Sequence, residues 1–328
     1  MNEADGRIRG RVVLGGSTGF IGKDLHRRWR AAGREVVTVS RHGADLTWDD
    51  QAGIDAAVDG AGLVVGLAGK SVNCRYTPAN RAEIFRSREQ TTAALRIAVR
   101  NAVSPPPLWI NSSTATIYRH AEDRPQTEST GELGTGFSVE VAKAWERELF
   151  AGDLPRTRRV ALRTAIVLGD GGVLATLRTL ARCGLGGTQH DGRWPIGRAR
   201  REAGTAHEFR TRDGRQRFSW VHLDDLAGII AFLEDHPALE GPVNAVAPRA
   251  SDNRTLMTTV RRTLGVPVGL PSARWMLELG AIALGTETEL ILKSRWVAPE
   301  TLLGAGYVFR FPDLDEAVRA SLAPGSAL

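Results

Sequence analysis

The sequence contains little cysteine and no long apolar run. Its two cysteines, Cys74 and Cys183, lie far apart and form no CxxC pair, so we expect free thiols in a reducing cytoplasm. The most apolar later stretch, residues 276–284, is too short to cross a bilayer and contains Glu278, so we expect no membrane partner. The residues before Arg11 hold no apolar run, which predicts no signal peptide.

Lysine is also scarce. It occurs only at positions 23, 70, 143 and 293, so arginine supplies nearly all of the positive charge. The net charge of +6 alone would suit a nucleic-acid partner, but the basic residues are scattered apart from one cluster between residues 193 and 217, and no nucleic-acid motif accompanies them. We therefore expect a small-molecule partner and no nucleic acid. No three-ligand spacing predicts a metal site. The chain has 328 residues, 42% of them hydrophobic, which is enough for one large domain or two coupled ones.

Three glycines at GxxGxxG spacing follow the first apolar run, residues 12–14, which is typical of a buried parallel strand. Gly16 allows a tight turn, Gly19 lets the backbone approach a diphosphate, and Gly22 lets the following helix pack on the strand. The N-terminus of that helix offers free N–H groups to the phosphates. The stretch predicts a dinucleotide site, with an ordinary turn as the alternative. The residues expected to line the site are Gly16, Ser17, Thr18, Gly19, Phe20, Ile21 and Gly22.

The end of the second predicted strand, residues 35–41, indicates which cofactor binds. An NAD site usually places an acidic residue there for the ribose 2′-hydroxyl. This chain has Ser40 and Arg41 instead, and an arginine suits the 2′-phosphate of NADP. The sequence therefore predicts NADP as the cofactor, although NAD stays possible. The alternative interpretation is that Arg41 is an ordinary surface arginine after a strand. Asp45 and Leu46 resemble an adenine-contacting pair more weakly.

Strands and helices alternate through the first half of the chain. Apolar strands are predicted at residues 62–69, 108–118 and 159–169, with helices at about 78–102 and 137–150. This alternation predicts an α/β fold with a Rossmann-type, doubly wound parallel sheet. Leu67, Ala68 and Gly69 lie at the carboxyl end of one strand, where open sheets bind ligands.

Residues 188–217 show little hydrophobic periodicity and are rich in glycine and arginine. A segment of this length without regular structure is usually functional or disordered. We predict a mobile cover over the substrate whose excess of arginine attracts an anion, with a solvated loop as the alternative. After it, residues 226–234 predict a helix capped by Asp224 or Asp225, and the chain beyond about residue 251 is predicted to be mainly helical.

Four motifs in combination resemble the extended short-chain dehydrogenase/reductases: the glycine triplet, Ser-Ser-Thr-Ala-Thr-Ile-Tyr at residues 112–118, Lys143, and Leu-Arg at 162–163. More narrowly, the chain is similar to NAD-dependent epimerase/dehydratase family proteins with a C-terminal domain of unknown function. This likeness is carried by Gly-Leu-Gly-Gly at 184–187, Phe-Ser-Trp-Val-His-Leu-Asp-Asp at 218–225, Pro-Val-Asn-Ala-Val-Ala-Pro at 242–248 and Phe-Pro-Asp-Leu at 311–314, and it covers nearly the whole chain.

The resemblance implies a Rossmann domain over residues 1–172, to which 218–248 return, and a smaller C-terminal substrate domain built from 173–217 and 249–328. It also implies a nicotinamide cofactor and hydride transfer on a small polar or sugar-like alcohol or ketone. Further cofactor contacts are expected from Arg88, Lys143 and Thr164. Thr114 is expected to hold the substrate oxygen, and Arg217 to bind an anionic group of the substrate. Whether the protein forms a homodimer is left open.

Two positions depart from the family pattern. Gly66 stands where an asparagine usually precedes Leu-Ala-Gly, and Val139 stands where a proton-donating tyrosine lies four residues before Lys143. The favoured proton source is then Lys143 acting through water, with Tyr118 or the substrate itself as alternatives, and Val139→Tyr is expected to keep or raise activity. We therefore predict an NADP-dependent oxidoreductase or epimerase with atypical proton transfer. The alternative, which Val139 favours, is a non-catalytic NADP-sensing protein.

Overall fold

The structure, a computed structural model, describes residues 10–323, and the expectation about a signal peptide concerns residues outside this range. The strands are β1 (Val12–Gly15), β2 (Val36–Ser40), β3 (Leu46–Thr47), β4 (Leu63–Gly66), β5 (Leu108–Thr114), β6 (Arg158–Thr164), β7 (Ile166–Leu168), β8 (Arg217–Phe218), β9 (Trp220–His222), β10 (Gly241–Ala245) and β11 (Ser251–Asp252). The helices are α1 (Phe20–Ala31), α2 (Gln51–Val58), α3 (Pro78–Asn101), α4 (Phe137–Phe150), α5 (Gly172–Arg182), α6 (Arg198–Glu202), α7 (Leu223–Asp235), α8 (Asn253–Thr263), α9 (Arg274–Ala283), α10 (Glu289–Leu292), α11 (Glu300–Gly304) and α12 (Leu314–Leu322). A 3₁₀ turn, Ala115–Ile117, follows β5.

The central sheet has seven parallel strands in the order β10–β6–β5–β4–β1–β2–β3. From β1 the chain moves outward to β2 and β3, and it then returns to β4 and moves the other way to β5, β6 and β10. This reversal opens a crevice at the carboxyl ends of β1 and β4, which is where doubly wound sheets bind ligands. The predicted α/β fold with a Rossmann-type sheet is confirmed.

Both faces of this sheet are buried. One face packs on α1 and α7 through residues such as Leu25 and Ile229. The other packs on α2, α3 and α4 through Ile54, Leu95 and Leu149. Strands that are covered on both faces need nearly continuous apolar runs, and β1 and β4 accordingly read Val-Val-Leu-Gly and Leu-Val-Val-Gly.

A second, smaller core lies beyond the end of β6. Here β7 pairs with β9, and α5, α8 and α12 pack around them through Leu174, Met257 and Val318. The packing of two C-terminal residues bears on the predicted division of the chain, which stays a prediction. Leu302 and Phe309 belong to the core of the central sheet, although the sequence assigned all of residues 249–328 to the substrate domain. Apolar residue type alone does not say which of two cores a side chain enters.

The segment 188–217 is more ordered than its sequence indicates. It contains α6, and Gln189, Thr211 and Gln216 are buried. The guanidinium of Arg274, on α9, contacts the carboxylate of Asp191 at 2.6 Å, and both side chains are almost completely buried. Polar pairing holds part of this segment without an apolar period, whereas α6 has no buried residue, so the alternative of a solvated loop stays open. Its movement as a cover stays a prediction.

Two local predictions are also wrong. Residues 159–169 do not form one strand, because β7 leaves the central sheet at Ala165 to pair with β9. The cap of α7 is His222, whose Nδ1 accepts from the backbone N–H of Asp224, whereas the Asp225 carboxylate accepts from two backbone N–H groups near residue 310. Within residues 10–323, no helix is both long and apolar enough to cross a membrane.

Candidate active site

The turn after β1 requires glycine at two of its three glycine positions. Gly16 has a φ of +83°, and a Cβ there would lie 2.9 Å from the backbone of Leu67 and Ala68. A Cβ at Gly22 would lie 2.3 Å from the Gly16 oxygen, so α1 packs on the turn only without a side chain there. Gly19 differs, because it is exposed and its Cβ would touch only the Gly16 oxygen, at 3.5 Å. The open side of Gly19 leaves room for a ligand to approach the backbone.

The N-terminus of α1 lies directly after the glycine turn. Its N-cap residue is Gly19, which offers no side-chain cap, and the first turn contains no acidic residue. The free N–H groups and the partial positive charge of the helix end therefore suit a diphosphate. Of the neighbouring predicted contacts, Thr18 is exposed, Ser17 and Ile21 are turned toward the protein, and the Phe20 ring lies against the backbone of Gly169–Gly172.

The carboxyl end of β2 presents a free cation and no free acid. The hydroxyls of Ser40 and Thr18 lie 3.1 Å apart, which joins this strand end to the glycine turn. Arg41 is exposed and makes no hydrogen bond or ion pair with the residues between 10 and 323. The carboxylate of Asp45 accepts from the N–H and the hydroxyl of Thr38, at 2.8 and 2.7 Å, and these bonds lower the pKa of Asp45. Leu46 lies beside it in β3 and is half-buried.

The loop after β4 is supported from behind by Arg88. Leu67, Ala68 and Gly69 follow the strand at the crevice, and the guanidinium of Arg88 packs against Gly69. This guanidinium donates to the backbone oxygens of Lys70 and Ile84 and lies 4.7 Å from the ring of Trp145. Burial lowers the pKa of Arg88 to about 10. Arg88 therefore holds the loop after β4 in place. A direct contact between Arg88 and the cofactor stays a prediction.

Gly66, the first departure from the family pattern, has a physical explanation. A Cβ at Gly66 would lie 2.3 Å from Oδ1 of Asn111, its neighbour on β5. Asn111 is buried, and its side chain fills the space into which a residue at position 66 would project. Asn111 on β5 therefore explains why position 66 of this chain has no side chain.

The predicted hydroxyls lie together where β5 and β6 end. Thr114 and Thr164 are register partners across the two strands, and both are partly exposed. Thr114 Oγ1 accepts from the backbone N–H of Thr116 at 3.2 Å, and Thr164 Oγ1 donates to the oxygen of Leu162 at 3.2 Å. Both lie at the ligand edge of the sheet, and their contacts with cofactor and substrate stay a prediction.

Lys143 lies on α4, one turn after Val139. Its Nζ donates to the oxygen of Gly134 at 3.1 Å and to the Glu140 carboxylate at 2.9 Å, and its side chain is 27% exposed. Val139 is completely buried, and the expected effect of Val139→Tyr on activity stays a prediction. A tyrosine there would have to displace packed atoms, at a cost of about 1–3 kcal/mol, so Val139→Tyr is no simple restoration of the family pattern.

Tyr118 is committed to a buried polar network. Its hydroxyl donates to Oδ1 of Asn244 at 3.0 Å and accepts from the guanidinium of Arg163 at 2.8 Å. Arg163 in turn makes a two-pronged pair with Glu146. The side chain of Tyr118 is 2% exposed, and burial raises its pKa. This placement argues against Tyr118 as the proton donor.

A cavity of about 390 Å³ lies beside the turn that follows β5, and we call it the β5 cavity. Its walls include Arg119, His120, Gly134, His207, Phe209 and Lys293. The ring of Phe209 stacks between the two histidines, with ring centroids 4.7 and 5.1 Å apart. A larger cavity of about 590 Å³, near Thr157 and Gly241, lies at the amino ends of the strands and away from the crevice.

Sequence reasoning did not select Lys293, which the C-terminal part of the chain brings to this cavity. Its Nζ donates to the oxygen of Thr116 at 2.8 Å, and burial lowers the pKa of Lys293 to about 8. Burial also lowers the pKa of His207 to about 4. The only available signal was the rarity of lysine in the sequence.

Arg217 lies close to the same segment. Its guanidinium stacks over the ring of Trp296 at 4.3 Å and has no hydrogen bond or ion pair with another residue of the described chain. Its backbone is held by Ser294 and Arg295. A fixed, unpaired guanidinium is suited to an anionic group. Across residues 10–323, no three His, Cys, Asp or Glu side chains cluster in a way that could hold a metal ion.

A doubly wound parallel sheet with a glycine turn and an open helix N-terminus at its crevice defines a Rossmann-type protein. Residues 12–144 match the model of the NAD dependent epimerase/dehydratase family, and residues 273–321 match a domain of unknown function (DUF1731). The epimerase family protein SDR39U1 of Bos taurus is 32% identical over 326 residues, which span 95% of this chain and all of the bovine protein. The chain therefore belongs to the NAD dependent epimerase/dehydratase family, of the extended short-chain dehydrogenase/reductase type.

Solved structures show the same likeness. The crystal structure of human SDR39U1 (isoform 2) with NADPH has a TM-score of 0.79 and 28% identity, and the alignment covers 95% of this chain and 98% of the human one. The UDP-glucose 4-epimerase of Thermus thermophilus, solved with NAD, has a TM-score of 0.70 and 18% identity, covering 95% of this chain and 97% of that one. The second likeness concerns the fold alone.

Proposed function

We propose that this protein binds NADP(H) and uses it as an oxidoreductase or epimerase on a small polar or sugar-like alcohol or ketone. The observation that carries the proposal is the unpaired, exposed Arg41 at the carboxyl end of β2, next to the open N-terminus of α1. The similar human protein was crystallised with NADPH, which supports the same preference here. Bound NADPH supplies a hydride to a carbonyl carbon.

The residues of the crevice fit such a cofactor. The glycine turn and the N-terminus of α1 hold the diphosphate, Arg41 pairs with the 2′-phosphate, and Ser40 lies beside it. Lys143 and Thr164 contact the nicotinamide half, and Thr114 orients the substrate oxygen at the end of β5. Arg217 binds an anionic group of the substrate. We assign the sheet, including residues around 302–309, to the cofactor domain, and the core of α5, α8 and α12 to the substrate domain. A cytoplasmic location remains a prediction.

The cofactor preference is tested by titrating NADPH and NADH into the wild type, Arg41→Ala and Arg100→Ala. A charge-assisted hydrogen bond contributes about 1.5–3 kcal/mol, so we expect NADPH to bind roughly ten- to a hundred-fold more tightly than NADH. Arg41→Ala should lose that preference, and Arg100→Ala, which removes an exposed arginine at the end of α3, should retain it. Equal affinities in the wild type would overturn the proposal.

A non-catalytic, NADP-sensing protein is the second candidate, because Val139 is buried and Tyr118 is committed to Asn244 and Arg163. Incubating the NADPH-loaded and NADP-loaded protein with a metabolite extract distinguishes the two. An enzyme changes the redox state of the cofactor, whereas a sensor leaves it unchanged.

A further inference from the structure

The β5 cavity contains a lysine that the cofactor contacts leave unused. Lys293 follows α10 and is 4% exposed. Its ammonium carries three N–H bonds, but the oxygen of Thr116 is its one acceptor within residues 10–323. A buried charge that lacks partners is costly, so the remaining N–H bonds indicate a site that a polar ligand completes.

Backbone hydrogen bonds link the wall of the β5 cavity to Thr114 and Lys143, which do not themselves line it. Thr116, which accepts from Lys293, donates its backbone N–H to Thr114 Oγ1. Gly134 lines the same cavity as Lys293, and its oxygen accepts from Lys143. Lys293 therefore lies at the end of β5 where the substrate oxygen is expected.

We propose that Lys293 is the catalytic acid and base that exchanges a proton with the substrate oxygen, in place of the tyrosine missing at position 139. The inference rests on the proposed function. During reduction the carbonyl carbon accepts a hydride, and the electron pair of the π bond moves to the oxygen. One N–H bond of the Lys293 ammonium then breaks, and its proton passes to that oxygen. The products are an alcohol and a neutral amine, which water reprotonates. Oxidation runs through the same steps in reverse.

The charges around Lys293 suit this exchange. Arg295 and Glu289 belong to its own segment, and the facing groups are Arg119 and His120 from the turn after β5 and His207 and Glu208 from segment 188–217. Burial and the positive charge of Arg295 lower the pKa of Lys293 to about 8, and Glu289 opposes them. A group that titrates close to neutral pH is the most efficient proton exchanger. Lys143, by contrast, is partly exposed and shares its ammonium with Glu140.

The first experiment measures the titration of Lys293 without any substrate. Trace acetylation with acetic anhydride across a pH series, followed by peptide mass spectrometry, gives the pKa of each of the four lysines. We expect Lys293 to titrate at about pH 8, below the ordinary lysine value of 10.5. An ordinary lysine pKa at position 293 would overturn the inference.

The second experiment compares Lys293→Met, Lys293→Arg and the control Arg100→Met as NADPH-dependent reductases of phenanthrenequinone. Wild-type turnover should fall above about pH 8, as the ammonium deprotonates. Lys293→Met should lose about 10²- to 10⁴-fold in kcat. Lys293→Arg keeps the charge and a donor for Thr116, but a guanidinium does not release its proton, so kcat should stay low and the fall above pH 8 should disappear.

A third measurement separates this inference from the proposed function. NADPH affinity, followed by fluorescence, should be equal in the wild type and in all three variants. Wild-type turnover and pH profile in Lys293→Met, with NADPH bound, would overturn the role of Lys293 alone. Rescue of kcat by Lys293→Arg would show that the lysine only holds Thr116. Failure of the wild type to bind NADPH would overturn the proposed function and this inference together.

Discussion

At the scale of the residue, buried hydrogen-bond partners decide which polar side chains are available for chemistry. Motif spacing placed Thr114 and Arg41 at strand ends, because it encodes short-range geometry. It could not show that the Tyr118 hydroxyl is committed to Asn244, 126 residues away, or that Lys293 contacts Thr116 across 177 residues. Contacts over such sequence separations depend on how the whole chain folds, and no local pattern predicts them.

The commitment of Tyr118 gives a stability prediction. Tyr118→Phe leaves the amide oxygen of Asn244 and the guanidinium of Arg163 each without one buried partner. We expect the free energy of unfolding to fall by about 1–3 kcal/mol in urea titrations, with turnover unchanged. Tyr76→Phe is the matched control, because its hydroxyl makes only a 3.4 Å contact with Ser138 and should cost less. A large loss of turnover with unchanged stability in Tyr118→Phe would contradict this assignment.

At the scale of the element, helices with strong local signals were predicted well and polar segments poorly. α3 begins with Pro78 after the capping hydroxyl of Thr77, and its start was predicted at the right residue. α2 is only eight residues long, and it was missed because a short apolar run predicts neither a helix nor a strand. The sequence predicts no regular structure for segment 188–217. The ion pairs that hold this segment leave no periodic pattern in the sequence from which its structure could be predicted.

The order of that segment depends on Arg274, which pairs with Asp191 and Glu278 while all three side chains are buried. Arg274→Met removes the cationic partner of Asp191 and one of the two cationic partners of Glu278, which keeps Arg200. Because these pairs are buried, we expect a loss of about 3–5 kcal/mol in the free energy of unfolding. Hydrogen exchange within residues 188–217 should quicken. Arg198→Met removes an exposed pair with Glu202 in the same segment and should cost less than about 1 kcal/mol. Equal effects of the two variants would show that burial of the Arg274 pairs is unimportant.

At the scale of the whole molecule, the proposed site draws on both ends of the chain. The glycine turn, the β2 end and the β4 loop come from the first 70 residues, whereas Lys293 and Trp296 come from beyond α10. The sheet and its ligand edge could be predicted from sequence, because alternating strands and helices leave few topologies. The cavity could not, because its walls come from the turn after β5, segment 188–217 and the residues around α10.

Burial of Lys293 should also make stability depend on pH. Its pKa falls from 10.5 to about 8 on folding, so between these values the unfolded chain binds the additional proton. The free energy of unfolding therefore rises with pH across this range, and below about pH 8 the buried charge lowers it by about 3 kcal/mol. Lys293→Met should be more stable than the wild type at pH 7, and the difference should shrink toward pH 10.5. Urea titrations of both proteins at pH 7 and pH 10.5 measure this difference in the free energy of unfolding. A difference that does not change with pH would contradict a buried charge at Lys293.

Gly66 on β4 and Asn111 on β5 are register partners. Gly66 has no side chain, and the amide of Asn111 occupies the space where a Cβ at position 66 would lie. Gly66→Asn alone brings a second amide into the same space, and Asn111→Gly alone leaves a gap. Both changes together restore one amide and one glycine. We therefore expect reciprocal sign epistasis between the two positions, because each single change passes through an unfavourable intermediate. Packing alone would then keep a chain in whichever arrangement it has.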